Sequence, residues 1–206
     1  YRQRHGRAAR LGYQISVGRM ICLLTPTGGR PDQIRLCAEF MRRQTYDKEV
    51  LWVIVDDCHP RTTDFIQIDF KQNWNIVKAQ PKPLWKPGQN TQARNIAAGL
   101  NIVKKYGPET EAVFIIEDDD YYKPQYLEEM MKRFPGYDLI GETHTIYYNL
   151  KVKRWIENKN EEWSSLFQTA FRPCMIPVIE KLYSERFIDY NLFKSVIRSH
   201  EVNLFR

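Results

Sequence analysis

Residues 114–124 read F-I-I-E-D-D-D-Y-Y-K-P, and the fold turns on how the four acids in the middle are read. Residues 112–116 form an apolar run that predicts a buried strand. Glu117, Asp118, Asp119 and Asp120 follow it directly. Like charges this close repel one another, so such a cluster is either a turn solvated by water or a set of ligands for a cation. Side chains alternate across a strand, which predicts Glu117 and Asp119 on one side and Asp118 and Asp120 on the other. A hard divalent cation such as Mg²⁺ or Mn²⁺ takes one or two carboxylates together with phosphate oxygens and water. A pair of acids at a strand end meets that requirement.

The segments around the run have the same character. Residues 20–25 (MICLLT) and 50–55 (VLWVIV) are continuous apolar stretches, as expected of strands covered on both faces. Residues 75–79 and 137–141 are further strand candidates. Between them, helices are predicted from Asp32, as N-cap, to about Gln44, from Thr91 to Lys105, and from Pro124 to Phe134. Gly107-Pro108 stops the second of these. Alternating strands and helices predict an α/β fold with a mostly parallel central sheet and helices on both faces. In such sheets ligands collect beyond the carboxyl ends of the strands. The unusual loops TPTGGR, DDC and EDDDYY all fall on that edge. After residue 141 the pattern turns aromatic and irregular.

The 206 residues are 43% hydrophobic, enough for one substantial core. No stretch reaches the roughly 20 apolar residues of a membrane span. Cys22, Cys37, Cys58 and Cys174 are scattered and contain no C-x-x-C pair, which fits a reducing cytoplasmic setting better than a disulfide framework or a zinc site. The net charge of +6 invites a nucleic-acid reading. However, residues 1–19 hold five arginines and no acid, which leaves +1 for residues 20–206. The first 19 residues are expected to be a poorly ordered basic leader or tag.

Four segments, taken in order, resemble glycosyltransferases of family 2, which have the GT-A fold. TPTGGRPDQIRLCAEFMRRQTY is similar to their first strand, nucleotide-facing loop and helix. LWVIVDDC resembles the second strand with its V-D-D end. GQNTQARNIAAGL resembles the G-x-x-x-A-R-N helix, and Asp119-Asp120-Tyr121-Tyr122-Lys123-Pro124 matches D-D-x-x-x-P at the metal strand, where the family carries D-x-D. The resemblance covers residues 20–140. It implies a donor half there and an acceptor-side half over 141–206. It also implies a nucleotide-sugar donor (a UDP- or GDP-sugar) bound with Mn²⁺ or Mg²⁺.

Carried over by position, Asp57 hydrogen-bonds the base with Asp56 beside it, Pro26 and Thr27 line the nucleoside pocket, and Arg94 lies near the base or the phosphates. Asp118 joins this nucleotide-sugar set. Asp119 is the principal metal ligand, with Glu117 at the first acid of the D-x-D, Asp120 next to it and His200 as a late further ligand. Sugar transfer in the family is inverting and needs a carboxylate base on the acceptor side. Asp189, in FIDYNL, is the first candidate, and Glu142, after YDLIG, competes with it.

His144 is the other histidine of interest. Trp155, Trp163 and residues 164–173 (SSLFQTAFRP) are candidates for a stacking platform or for ordinary core. The segments GETHTIYYNL and SLFQTAFRP resemble compact enzymes of bacteriophages and large DNA viruses. That setting implies a glycan or protein acceptor, for example on a virion, or else a hydroxymethylated base in DNA. The near-neutral body favours the first. A sugar-phosphate nucleotidyltransferase and a non-catalytic binding module are the remaining readings.

Overall fold

The computed structural model describes residues 19–67, 70–84, 86–149, 151–184, 188–196 and 201–205. The donor half contributes β1 (Met20–Thr27), α1 (Pro31–Arg42), β2 (Val50–Asp56), β3 (Trp74–Ala79), α2 (Gln92–Tyr106) and β4 (Thr110–Ile115). The chain continues through α3 (Tyr126–Lys132), β5 (Leu139–Glu142), β6 (His144–Asn149) and β7 (Arg154–Lys159). It ends with β8 (Thr169–Phe171), α4 (Ile176–Glu180), α5 (Ile188–Val196) and β9 (Val202–Phe205).

The seven-stranded sheet runs β3-β2-β1-β4-β8-β5-β9. β1 pairs in parallel with both β2 and β4, and β2 with β3. β8 is antiparallel to β4 and β5, and β9 is parallel to β5. The α/β fold with a mostly parallel sheet is therefore as expected.

The unbroken apolar runs follow from a sheet covered on both faces. Ile21, Leu23, Trp52 and Ile54 face α1 and α3, where Ile34, Met41 and Leu127 meet them. Cys22, Leu24, Leu51 and Val53 face α2, α4 and α5, against Leu100, Ile179 and Leu192. Burying each large apolar side chain is worth about 1.5–3 kcal/mol. The two layers hold the ends of β1, β2 and β4 in one register.

Two local details differ from the sequence expectation. Asp32 is not the N-cap of α1. The helix opens at Pro31, whose fixed φ suits the first helical position, and Asp32 sits in the first turn, where it pairs with Arg35 at 3.1 Å. The region after residue 141 is also more ordered than its composition suggests, since it supplies β6, β7, β8 and β9. Gly107 ends α2 as predicted, with φ at 48° and its N–H on Lys104 O.

Gly99 is where α2 lies tightest on β1, because a Cβ there would stand 2.0 Å from Leu24 Cδ1. Gly99→Ala is expected to cost about 1–3 kcal/mol through overpacking. Urea denaturation checks this: the midpoint should fall at unchanged slope, and an unmoved midpoint would refute it.

Candidate active site

The ends of β1, β2 and β4 converge with the first turn of α2 around a cavity of about 630 Å³. Pro26, Thr27, Asp57 and Asn95 line one end of it, and Glu117 and Asp119 line the other. A second cavity of about 380 Å³ continues past Glu117, Asp119 and Asp120 to Asp189. A third, of about 720 Å³, carries on from Asp120 and is walled by Tyr126, Glu142, Tyr147 and Phe167. Shared lining residues make the three one continuous cleft along the carboxyl edge of the sheet.

Asp57 is 7% exposed. Its N–H donates to Thr27 O at 3.1 Å, which fixes it at the mouth between β1 and β2. One carboxylate oxygen, Oδ2, accepts from the Thr91 hydroxyl and from Asn95 Nδ2 (3.0 Å). Asp56 is placed differently from the expectation. Oδ1 accepts from Cys58 N–H at 3.0 Å and Oδ2 from Thr63 N–H at 2.9 Å, so both oxygens are spent shaping the turn after β2. A fully buried carboxylate satisfied in this way does not reach the cleft.

The acids of 117–120 lie in a turn beyond β4 rather than in the strand, so they do not alternate as a strand would. The buried Tyr122 makes the turn. Its Oη accepts from Glu117 N–H at 2.8 Å, folding the chain back on itself. Asp118 alone turns inward. It is 1% exposed, takes the Thr27 hydroxyl at 2.5 Å and pairs with Arg30 at 2.5 Å. Asp118 is therefore not a lining residue, and it acts on the cleft through Thr27 and Arg30. Arg30 also reaches Asp119 at 3.0 Å. Glu117, Asp119 and Asp120 remain on the cleft side.

Burial, reinforced by the charges of Asp120 and Asp119, pushes Glu117 up to about 8. Burial and the charge of Asp119 raise Asp120 to about 7, against a hydrogen bond from Glu117. Burial raises Asp118 as well, opposed by Thr27 and Arg30. Asp189, at the start of α5, is raised by burial and held by backbone N–H groups.

Among the described residues no three acid, histidine or cysteine side chains already stand in a shell that would hold an ion. The donor set nonetheless fits a hard divalent cation in its chemistry. Glu117, Asp119 and Asp120 bring carboxylate oxygens to this part of the cleft, beside Gln92 and Ser165, and burial together with their mutual repulsion raises Glu117 and Asp120, as expected of acids that a cation would relieve. His200 lies outside the described residues.

Arg94 does not line the cleft. The rotation of about 100° per residue that brings Gln92 and Asn95 to the cavity carries Arg94 off that side. Its Nε and Nη2 are buried without a hydrogen-bond partner among the described residues. Glu142 is half-buried in the third cavity, which it shares with Asp120 of the acidic run, whereas Asp189 shares the second with Glu117, Asp119 and Asp120. In the 164–173 stretch, Ser165, Leu166 and Phe167 wall the cleft while Ala170 and Phe171 are core. Trp163 meets Tyr190 edge-on at 6.3 Å, and Trp155 stands 59% exposed on β7. His144 is 3.5 Å from Glu157.

Sequence reasoning missed Arg30, Thr91, Gln92, Asn95 and Tyr122. Gln92 donates to Glu117. Asn95 sits beside Arg94 in the A-R-N triplet, and helical spacing from Gln92 was a signal that could have found it. Nothing local pointed to Tyr122.

Residues 22–191 match the profile of Glycosyl transferase family 2. No curated protein matches the chain. Among solved structures, the 1–349 fragment of S. aureus TarS in complex with UDP is 17% identical, with a TM-score of 0.61 over 90% of this chain and 57% of that one. The same fragment with UDP-GlcNAc is 15% identical at a TM-score of 0.62, covering 90% of this chain and 56% of that one. The chain thus spans a little over half the length of these fragments, and at such identity the likeness is one of fold.

Proposed function

Because the chain belongs to glycosyl transferase family 2, and is therefore a glycosyltransferase, we propose that it moves a sugar from a nucleoside diphosphate to a hydroxyl acceptor. What carries this is the single cleft running from the buried Asp57, past Glu117 and Asp119, to Asp189. The nucleoside lies between Pro26, Thr27 and Asp57, and Asp57 accepts a hydrogen bond from the base. UDP and UDP-GlcNAc are held by the TarS fragment, and we extend that to a UDP-sugar here, with a GDP-sugar second. Arg30 supplies fixed positive charge beside the diphosphate.

Glu117, Asp119 and Asp120 are the residues that would hold Mn²⁺ or Mg²⁺. When bound, the ion supplies positive charge against the departing diphosphate. Asp189 takes the proton from the acceptor hydroxyl. The acceptor oxygen forms its bond to the anomeric carbon as the bond to the diphosphate breaks, and the electron pair leaves with the nucleotide. Attack from the opposite face inverts the configuration.

Tyr126, Tyr147 and Phe167 flank the onward cavity with flat rings that suit a sugar face. With only +1 on residues 20–206, a glycan or protein acceptor is favoured over DNA. The compact viral type that residues 141–173 resemble puts a virion glycoprotein among those acceptors.

The test is UDP release from UDP-GlcNAc with Mn²⁺, together with thermal shift. A donor at 100 times its Kd adds about 2.7 kcal/mol of stability. Asp189→Asn is expected to lower kcat by about 10²–10⁴ with the donor KM nearly unchanged, while Glu142→Gln stays near the parent rate. The reverse pattern moves the base to Glu142, and pyrophosphate release from a nucleoside triphosphate would overturn the reading altogether.

A further inference from the structure

β6 and β7 form a two-stranded ladder of their own, outside the seven-stranded sheet. The register sets Tyr148 opposite Trp155, Tyr147 opposite Ile156 and Ile146 opposite Glu157. Alternation then places Ile146, Tyr148 and Trp155 on one face and Tyr147 and Ile156 on the other. Both faces are wet. Ile146 is 60% exposed, Tyr148 54%, Trp155 59% and Ile156 66%, and Val152 in the turn is 56% exposed. An antiparallel ribbon ordinarily packs one face on the body and solvates a polar one. At its base Thr145 is buried against Gln168 and Tyr147 borders the cleft, but beyond them the apolar side chains of both faces stand uncovered, a surface built to be covered by something else.

The tip is ordered and basic. Asn149 Oδ1 accepts from the N–H groups of Lys151 and Val152 at 3.0 and 3.1 Å, and Lys153 takes φ of 51° to close the turn. Residues 144–159 hold four Lys or Arg side chains and one acid. That acid, Glu157, is already engaged by Lys159 at 3.4 Å. Lys151, Lys153 and Arg154 make no ion pair among the described residues.

Three kinds of occupant can be compared on these grounds. A second copy would bring two like-charged tips together, which is repulsive. Nucleic acid satisfies the cations and rings but offers no shelter to Ile146, Val152 and Ile156. An anionic lipid surface satisfies all three groups at once. Lys and Arg meet headgroup phosphates, Trp and Tyr sit at the interface, and the aliphatic side chains enter the acyl boundary.

We propose that the β6–β7 hairpin is a wedge that docks this enzyme, tip first, on an anionic bilayer surface. The attachment proposed is interfacial, through the side chains of the hairpin; no helix among the described residues is long and apolar enough to cross a membrane. Tyr147 belongs both to the hairpin and to the chamber of Asp120 and Asp189, so a docked surface lies beside the cleft. The inference stands on the hairpin and does not require a particular acceptor.

The experiment is flotation of the full chain with phosphatidylcholine vesicles, with and without phosphatidylglycerol, plus quenching of tryptophan fluorescence by brominated acyl chains. The chain is expected to float with the phosphatidylglycerol vesicles only, to release as salt rises, and to be quenched. The double variant Lys151→Gln/Arg154→Gln should lower partitioning about 25-fold, roughly fivefold per charge. Trp155→Ser/Ile156→Ser should lose the quenching while keeping its thermal shift with UDP, because neither residue lines the cleft. The quenching and salt series on the parent chain need no variant. No flotation on phosphatidylglycerol vesicles overturns the proposal, as does flotation indifferent to both variants. A dimer dissolved by Trp155→Ser/Ile156→Ser, or duplex DNA retained in preference to vesicles, would also overturn it, assigning the hairpin to a second copy or to nucleic acid.

Discussion

Asp119→Asn is expected to reduce sugar transfer by about 100- to 1,000-fold, the scale of losing one charged group aimed at a transition state. The change keeps the size of the side chain and removes only its charge. Asp119 is 55% exposed and its partner at 3.0 Å, Arg30, is 41% exposed. Such a surface pair contributes little to stability, so the melting temperature should stay put. The loss should appear in kcat, and the response of turnover to added Mn²⁺ should flatten with it. Steady-state kinetics across a Mn²⁺ titration makes the check. Parent-like turnover in Asp119→Asn would remove the acidic run from the chemistry.

Gly28→Ala is the second large effect. A Cβ on Gly28 would fall 1.8 Å from Asp57 Oδ1 and 2.9 Å from its Cγ. One of the two must move, and Asp57 is pinned by its hydrogen bonds with Thr91, Asn95 and Thr27 O. Displacing a carboxylate that binds a ligand forfeits a charge-assisted hydrogen bond worth about 1.5–3 kcal/mol. UDP affinity should therefore fall by about 10- to 150-fold, read by titration calorimetry, with kcat at saturating donor far less affected. Unchanged UDP affinity would mean that Asp57 does not read the nucleotide.

The donor half was legible because its code is local. Continuous β-branched runs such as VLWVIV read as strands covered on both faces, and Pro31 and Gly107 punctuate the helices between them. The roles of adjacent acids were not legible. Asp56 and Asp57 differ in the amides that reach them, and one of those belongs to Thr63, seven residues on in a turn with no strong pattern. The acidic run was misread as alternating for a similar reason, since the clamp from Tyr122 replaces strand geometry by a turn. The inward turn of Asp118 depends on Thr27 and Arg30, which are distant in sequence and meet it only once β1 and β4 pair. β8 was invisible because three residues cannot establish a period, and its place is set by the strands on either side.

The self-contained ladder of β6 and β7 has a consequence for how such a molecule could be changed. It joins the body at its base, where Asn160 N–H meets Thr143 O at 3.0 Å and Gln168 bonds Thr145 and the His144 carbonyl, and it contributes no rung to the large sheet. Residues 149–156, beyond the cavity-lining Tyr147 and Tyr148, are thus an exchangeable tip. A replacement of different length or composition would redirect where the catalyst works without re-engineering the part that recognises its donor.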